Sequence, residues 1–155
     1  MVIYSSSSST TDVTDPEAPT SLSSGTITSS SVQINWVNGS DAGEGILNSV
    51  ILRTATTSES TVSLNDQGEY STSGGSSGPN TIGDWTILST SVSPSATTFT
   101  DSTVAAGTSY KYAVIHFDRA YNYSTALVSS TWITPISWLA PLDSMRNQTP
   151  VGSRL

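Results

Sequence analysis

The stretch "GTSYKYAVIHFD", residues 107–118, decides the fold of this chain. If Ser109 to Asp118 form a strand, successive side chains point to opposite faces. One face then carries Tyr110, Tyr112, Val114 and His116, and the other carries Lys111, Ala113, Ile115 and Phe117. Both faces are mostly apolar, which is typical of a strand that is covered on both sides. The stretch therefore predicts a central strand of a sheet.

The residues just before this strand predict a tyrosine corner. The segment "VAAGTSY", residues 104–110, has an apolar anchor at Val104, a turn at Gly107 and a tyrosine at the start of the strand. In a tyrosine corner the phenol bonds to upstream main chain and fixes a crossover between two sheets. We therefore expect Tyr110 to have a structural role.

Other short stretches repeat the period of two that half-buried strands require. In "SVQINW", residues 31–36, Val32, Ile34 and Trp36 alternate with polar side chains. Further candidate strands are "NSVILRT" (48–54), "DWTILST" (84–90), "TTFTDS" (97–102) and "ALVSSTWITP" (126–135). About seven short strands separated by turn residues predict an all-β sandwich.

These residues resemble the fibronectin type III family. The resemblance rests on the tryptophan of "SVQINW", the proline-containing "EAPTSL" before it, and "GTSYKYAVIHFD" as the sixth strand. The continuation "DRAYNYS" is similar to bacterial and phage members. The resemblance covers about residues 18–134 and implies a seven-stranded fibronectin type III-like β-sandwich with Trp36 buried. The chain departs from the family at Tyr121, where glycine is common, and in a long insertion after the third strand.

The domain organisation follows from changes in composition. Residues 1–17 are predicted to form an extended Ser/Thr-rich N-terminal arm, because Pro16 and Pro19 force extended geometry nearby. Residues 18–134 form the sandwich, and residues 135–155 form a C-terminal docking tail. The insertion at 57–83 is rich in Gly, Ser and Asn, which predicts a long polar loop or a loosely held hairpin.

Composition and charge exclude several function classes. The net charge is −7 and the five cationic residues are scattered, so we expect no nucleic-acid binding and no membrane insertion. The absence of cysteine excludes disulfides, thiolate nucleophiles and zinc–thiolate sites. The start "MVIYSSSSSTTD" lacks a cationic region and predicts no signal peptide. The chain is then either an intact protein that needs no Sec-type export or a module of a longer secreted chain.

Two groups of residues could support catalysis or metal binding, but the sequence favours a structural role for both. His116, with Asp118 or one of the many serines as a partner, could supply a general base, but a histidine on the inner face of a sandwich is more often simply hydrogen-bonded. The loop "NGSDAGEG", residues 38–45, groups Asp41 and Glu44 with glycines and could hold a calcium ion, but its oxygen ligands lack EF-hand spacing and two carboxylates in a turn are usually solvated. We predict no catalytic residue, no metal and no cofactor.

Binding residues are predicted at two places. Loop-borne Tyr and Arg are enriched in binding hot spots, which favours Arg119, Tyr121 and Tyr123. The alternative is that one of these tyrosines packs over the end of the sandwich. The tail carries four large apolar residues that favour docking onto another chain: Trp138, Leu139, Leu142 and Met145. The N-terminal "VIY" could add a strand to a sheet edge.

The expected function is that of a non-catalytic structural or binding protein. It would display a β-sandwich on the outside of a larger assembly, as a phage virion accessory or decoration protein does, at a virion surface or in an extracellular setting. The alternative is a spacer or ligand-binding module of a secreted bacterial adhesin or polysaccharide-degrading enzyme. Expected partners are protein subunits of the assembly, further copies of the chain as a homo-oligomer, or a host surface glycan or protein.

Overall fold

A computed structural model describes residues 12–57, 61–66, 68, 70 and 80–136. In these residues the chain forms only strands and loops, and the strands build two antiparallel sheets, ordered β1-β2-β6 and β4-β5-β3-β7-β8. The strands are β1 (Thr20–Ile27), β2 (Val32–Val37), β3 (Ile46–Thr54), β4 (Thr81–Ile82), β5 (Trp85–Val92), β6 (Thr98–Asp101), β7 (Lys111–Asp118) and β8 (Leu127–Val128). The predicted all-β sandwich is confirmed.

The strand count differs from the prediction, with eight strands instead of seven. The additional strand is β4, which covers two residues at the end of the insertion and pairs with β5 across a tight turn. Without β4, the other described strands form sheets of three and four. The insertion thus extends one edge of the larger sheet. The strand predicted at 126–135 is shorter than expected, because only β8 and an isolated bridge at Ile133 form there.

Strand β7 is central, as predicted, because β3 and β8 pair with its two edges. On its inner face, Tyr112 and Val114 pack in a buried cluster that faces the smaller sheet. On its outer face, Ile115 and Phe117 belong to a second buried cluster. The strand begins at Lys111 and not at Ser109, because Tyr110 makes only an isolated bridge outside it.

The inner cluster is the core between the two sheets. The smaller sheet contributes Val32, Ile34 and Trp36, and none of these residues is more than 3% exposed. The indole Nε1–H of Trp36 donates to Oδ1 of Asn38 at 2.7 Å, so the one polar atom of this side chain is satisfied. A buried aromatic side chain of this size contributes much of the stabilisation of a small core.

The outer cluster corrects the prediction of a polar insertion. Val62 and Leu64, at 4% and 8% exposure, pack with Trp85 and Ile87 on the outer face of the larger sheet. This face is apolar along three neighbouring strands, and the described part of the insertion covers it. Burying a side chain such as Leu64 contributes about 1.5–3 kcal/mol, so this part of the insertion is not a solvated loop.

The tyrosine corner has the bond that the sequence predicts. The main-chain N–H of Ala105 donates to Oη of Tyr110 at 3.0 Å. Gly107 has a φ of 76°, a left-handed conformation that glycine adopts without strain. The guanidinium of Arg53 lies 4.7 Å from the centre of the Tyr110 ring. The corner is therefore held from both the main chain and the neighbouring strand.

An ion pair joins the two sheets close to this corner. Asp101 of β6 accepts from Nη1 of Arg53 at 2.7 Å and from Oη of Tyr112 at 2.9 Å. Burial alone would raise the pKa of Asp101, but hydrogen bonds from Thr103 and the charge of Arg53 outweigh it and lower the pKa. Burial and the neighbouring Asp101 raise the pKa of Tyr112. Asp101 is thus ionised, and it links the smaller sheet to Arg53 and Tyr112 of the larger sheet.

Candidate functional site

His116 and Ser49 form a hydrogen-bonded pair that is closed to solvent. Nδ1 of His116 lies 2.8 Å from Oγ of Ser49, and both residues are 0% exposed. The main-chain N–H of Gly39 donates to Nε2 at 3.3 Å, so Nε2 is the acceptor of the ring. The neutral ring therefore carries its proton on Nδ1 and donates it to Ser49.

This tautomer is opposite to the one that nucleophilic catalysis needs. A general base must accept the proton of the serine, whereas His116 donates to it. Burial lowers the pKa of His116 to about 4, which keeps the ring neutral. His116 is a hydrogen-bonded core residue, and no substrate can reach the pair.

The turn after β7 is organised by Asp118. Its Oδ1 accepts from the main-chain N–H groups of Ala120 and Asn122 at 2.8 and 2.9 Å, and its Oδ2 accepts from Nδ2 of Asn122 at 2.7 Å. Tyr121 sits in this turn with a φ of 63°, which is left-handed. A bulky residue in such a conformation costs about 1–3 kcal/mol. The turn therefore combines three hydrogen bonds to Asp118 with a strained backbone conformation at Tyr121.

Three carboxylates meet beside this turn. Asp12, Asp41 and Asp118 each place one oxygen within 4.8 Å of the others, a spacing that a hard cation could bridge. Sequence reasoning grouped Asp41 with Glu44 instead. Main-chain donors also stabilise the charges, and the bonds from Thr14 and Glu44 lower the pKa of Asp12. The cluster joins residues that are far apart in the sequence, so no local pattern predicts it.

Part of the predicted N-terminal arm is bound to the sandwich. Pro16 is buried, and the main-chain N–H of Glu17 donates to the carbonyl of Ser40 at 2.8 Å. Oγ of Ser40 donates to Oε2 of Glu17 at 2.6 Å, a bond that lowers the pKa of Glu17. Residues 12–17 have no regular secondary structure, and they dock against the loop at 38–45. Residues 1–11, with "VIY", lie outside the described residues.

The three binding residues predicted in "DRAYNYS" occupy different environments. Arg119 is exposed, Tyr121 is partly buried, and Tyr123 is 5% exposed. Oη of Tyr123 donates to the carbonyl of Gly68 at 2.5 Å, and its ring stacks on Phe117 with 5.3 Å between centres. Tyr123 is therefore the tyrosine that packs over the sandwich, and it is not a surface contact. Binding by Arg119 and Tyr121 stays a prediction.

The predicted tail residues Trp138, Leu139, Leu142 and Met145 lie outside the described residues. The structural residues Trp36 and Tyr110 are both buried and bonded as described above. Among the residues with described positions, no helix is long and apolar enough to span a membrane.

Two pockets flank the insertion on the outer face of the larger sheet. The first, of about 480 Å³, lies between the insertion and β8 and has Trp85 on its wall. The second, of about 260 Å³, includes Asn48, Tyr70, Thr90, Phe117, Tyr121 and Tyr123. No local pattern predicts the second pocket, because its walls come from three strands, the insertion and the turn. The available signal in the sequence is Tyr70, the only aromatic residue of the insertion at 57–83.

No family model matches the chain, and no curated protein matches its sequence. Solved structures are similar in fold. Domains A168–A170 of titin have a TM-score of 0.56 and 19% identity, covering 79% of this chain and 33% of that chain. Titin kinase with its flanking domains has a TM-score of 0.54 and 21% identity, covering 78% of this chain and 17% of that chain.

A third neighbour is a single domain. The fn3 domain of the human collagen alpha-1(XX) chain has a TM-score of 0.53 and 15% identity, covering 86% of this chain and 98% of that domain. The chain thus spans nearly all of this domain, but well under two thirds of the two titin structures. Together these likenesses show a fibronectin type III-like fold.

Proposed function

We propose that this chain is a non-catalytic structural and binding protein that presents its sandwich on the outside of a larger assembly. The specific assignment is a phage virion accessory or decoration protein. Three features support it: the fold, the "DRAYNYS" segment that resembles bacterial and phage members, and an apolar tail. The tail is the proposed attachment element.

The observation that carries this proposal is how the sandwich ends before the tail. The carbonyl of Pro135 accepts from the N–H of Gly107 at 3.0 Å, and the N–H of Ile136 donates to the carbonyl of Thr28 at 3.3 Å. The chain is therefore fixed at residue 136, next to the tyrosine corner. Trp138 follows two residues later, so an apolar anchor starts at a rigid point of the domain.

The internal position of the polar groups supports a non-catalytic role. His116 and Ser49 are sealed in the core, and Asp101 is bonded to Arg53. Groups that are already bonded within a scaffold stabilise it and are not free for acid–base chemistry. Binding through surface residues is the activity that remains.

Truncation after Ile136 tests the attachment role of the tail. We expect the truncated protein to keep the urea midpoint of the full chain and to lose its association with virions. The particles are purified from the organism that encodes the chain, and the protein is detected in them by mass spectrometry. A matched control replaces Ser144 and Thr149 with Ala in the full chain and should retain the protein on the particle.

The opposite result would identify a tail that serves its own sandwich. In that case truncation lowers the urea midpoint while association with the particle survives, and the proposal is wrong. The alternative of a module in a secreted protein has its own test. An open reading frame that continues past either end of this sequence would favour it, whereas neighbouring capsid or tail genes would favour the virion.

A further inference from the structure

The smaller pocket on the outer face lies beside the turn that carries Tyr121. It has a volume of about 260 Å³, close to the lower end of the range for ligand pockets. We propose that this pocket binds one ring of an uncharged saccharide. None of the residues that line this pocket belongs to the tail at 135–155, so the proposal goes beyond attachment to an assembly and does not depend on it.

The aromatic walls fit the C–H face of a sugar. Tyr121 is partly exposed and stacks on Phe117, with 5.8 Å between ring centres and 20° between planes. Tyr70 is also partly exposed and meets Tyr123 edge to face at 5.6 Å. The faces of aromatic rings are electron-rich, and they attract the weakly positive C–H groups on one side of a pyranose.

The polar lining fits the hydroxyl groups of a sugar. Asn48 and Thr90 both line the pocket and are partly exposed. Within the described residues, neither side chain makes a hydrogen bond. An amide and a hydroxyl together supply donors and acceptors, which is what neighbouring sugar hydroxyls require. These two side chains can therefore orient a ring that the tyrosines hold.

Charge favours a neutral ligand over an anionic one. The lining residues in the described part of the chain include no charged side chain. The chain as a whole carries a net charge of −7, which repels phosphate and carboxylate groups. A sialic acid or a nucleotide is therefore disfavoured against a neutral hexose or N-acetylhexosamine.

The pocket is pre-formed, because the insertion is tied to the sheet around it. Tyr123 donates through Oη to the carbonyl of Gly68, and its main-chain N–H donates to Oδ1 of Asp66 at 3.0 Å. Oη of Tyr70 accepts from the N–H of Asn65 at 2.9 Å. A wall that is ordered before binding reduces the entropy that a ligand must overcome.

The backbone at Tyr121 is an independent indication of function. Its φ of 63° lies in the left-handed region, where glycine would be unstrained. The chain nevertheless has an aromatic side chain there, which is partly exposed and lines the pocket. Strained residues concentrate at binding sites because the surrounding structure holds them for their side chain.

Nuclear magnetic resonance titration of the full chain tests this proposal. The probes are glucose, galactose, mannose, N-acetylglucosamine, N-acetylgalactosamine and their disaccharides. We expect at least one probe to give saturable shifts at the amides of Asn48, Thr90 and Tyr121, with a Kd of about 1 mM. Tyr121→Phe should retain binding, because the ring remains.

Two variants connect binding to the pocket. Tyr121→Gly removes the ring and relieves the backbone, and Asn48→Ala removes the amide without changing the turn. Each should weaken binding by roughly tenfold or more while the domain stays folded. Val37→Ala, at an exposed position on the smaller sheet, is the control and should bind like the wild type.

Three results would overturn the proposal. The first is the absence of saturable shifts with every saccharide of the panel. The second is binding that both Tyr121→Gly and Asn48→Ala leave unchanged, which would place the ligand elsewhere. The third is preferential binding of an aromatic compound such as indole, which would identify the pocket as an apolar site. None of these results bears on attachment through the tail.

Discussion

Lowering the pH should destabilise this protein through His116, its only histidine. Burial lowers the pKa of His116 from 6.5 to about 4 in the folded protein. Between these two pH values the unfolded chain binds a proton at His116 and the folded chain does not. The N–H of Gly39 also points at Nε2, and a protonated ring would face it with a second donor. The stabilisation is therefore complete above pH 6.5 and is lost as the pH falls from 6.5 towards 4.

The size of the effect follows from this difference in pKa. Each pH unit between the two pKa values changes the free energy of unfolding by about 1.4 kcal/mol. Over the whole window the loss is about 3 kcal/mol, and about 2 kcal/mol of it is reached at pH 5. A domain of this size has a stability of about 5–15 kcal/mol, so the change is easily measured.

Urea denaturation from about pH 7.5 to pH 5 measures this dependence. Trp36 and Trp85 are buried, so tryptophan fluorescence reports unfolding. The lowest pH of this range lies above the pH at which carboxylates with lowered pKa values begin to affect stability. Protonation of Glu17 and Asp101 destabilises the folded protein only below their ordinary pKa values of 4.5 and 3.8. Asp15, whose pKa burial raises, works in the opposite direction and can only reduce the loss.

His116→Gln is the matched control, because it keeps a polar side chain of similar reach without a titrating ring. Its free energy of unfolding should be nearly constant from about pH 7.5 to pH 5, whatever its absolute stability. A wild-type protein with constant stability over this range would refute the assignment of a buried neutral ring. Equal slopes in the wild type and the variant would show that another group titrates.

Four substitutions test the core through the urea midpoint. Trp36→Ala should cost about 3–5 kcal/mol through the cavity between the sheets, and Tyr110→Phe should cost about 1–3 kcal/mol by leaving a main-chain donor unpaired. Asp101→Ala should cost about 3–5 kcal/mol, because Arg53 then stays partly buried without its partner. Leu64→Ala should cost about 2–5 kcal/mol, and a wild-type midpoint would mean that the insertion does not cover the sheet. A wild-type midpoint in any of the other three variants would contradict the corresponding contact.

The sandwich could be predicted from the sequence because its strands carry local patterns. Alternation in "SVQINW" identifies β2 and the inward side of Trp36, and the turn at Gly107 identifies the corner at Tyr110. The two apolar faces of β7 correspond to the two buried clusters. Each of these features depends on neighbours within about ten residues, which is the range over which periodicity and turn chemistry act.

The role of the insertion could not be predicted in this way. Val62 and Leu64 are separated by one polar residue and lie in a stretch rich in Ser and Thr, so their alternation is too short to identify a strand. The apolar residues that indicate a covering segment lie on the sheet itself, where Val50 and Ile115 face outward and would be exposed to solvent without the insertion. Recognising that need requires the pairing of strands, which the sequence alone does not contain.

The cover over the outer face limits where this protein can bind a partner. In the larger sheet, the insertion occupies the central face, so a second protein cannot pack there without displacing Val62 and Leu64. The outward face of β2 presents Gln33, Asn35 and the exposed Val37, and β6 adds exposed threonines, so this face is mostly polar. Interfaces gain most of their affinity from buried aromatic and apolar anchors. The proposed anchors are the pocket at Tyr121 for ligand binding and the apolar tail for attachment, and neither includes Val62 or Leu64, which cover the centre of the larger sheet.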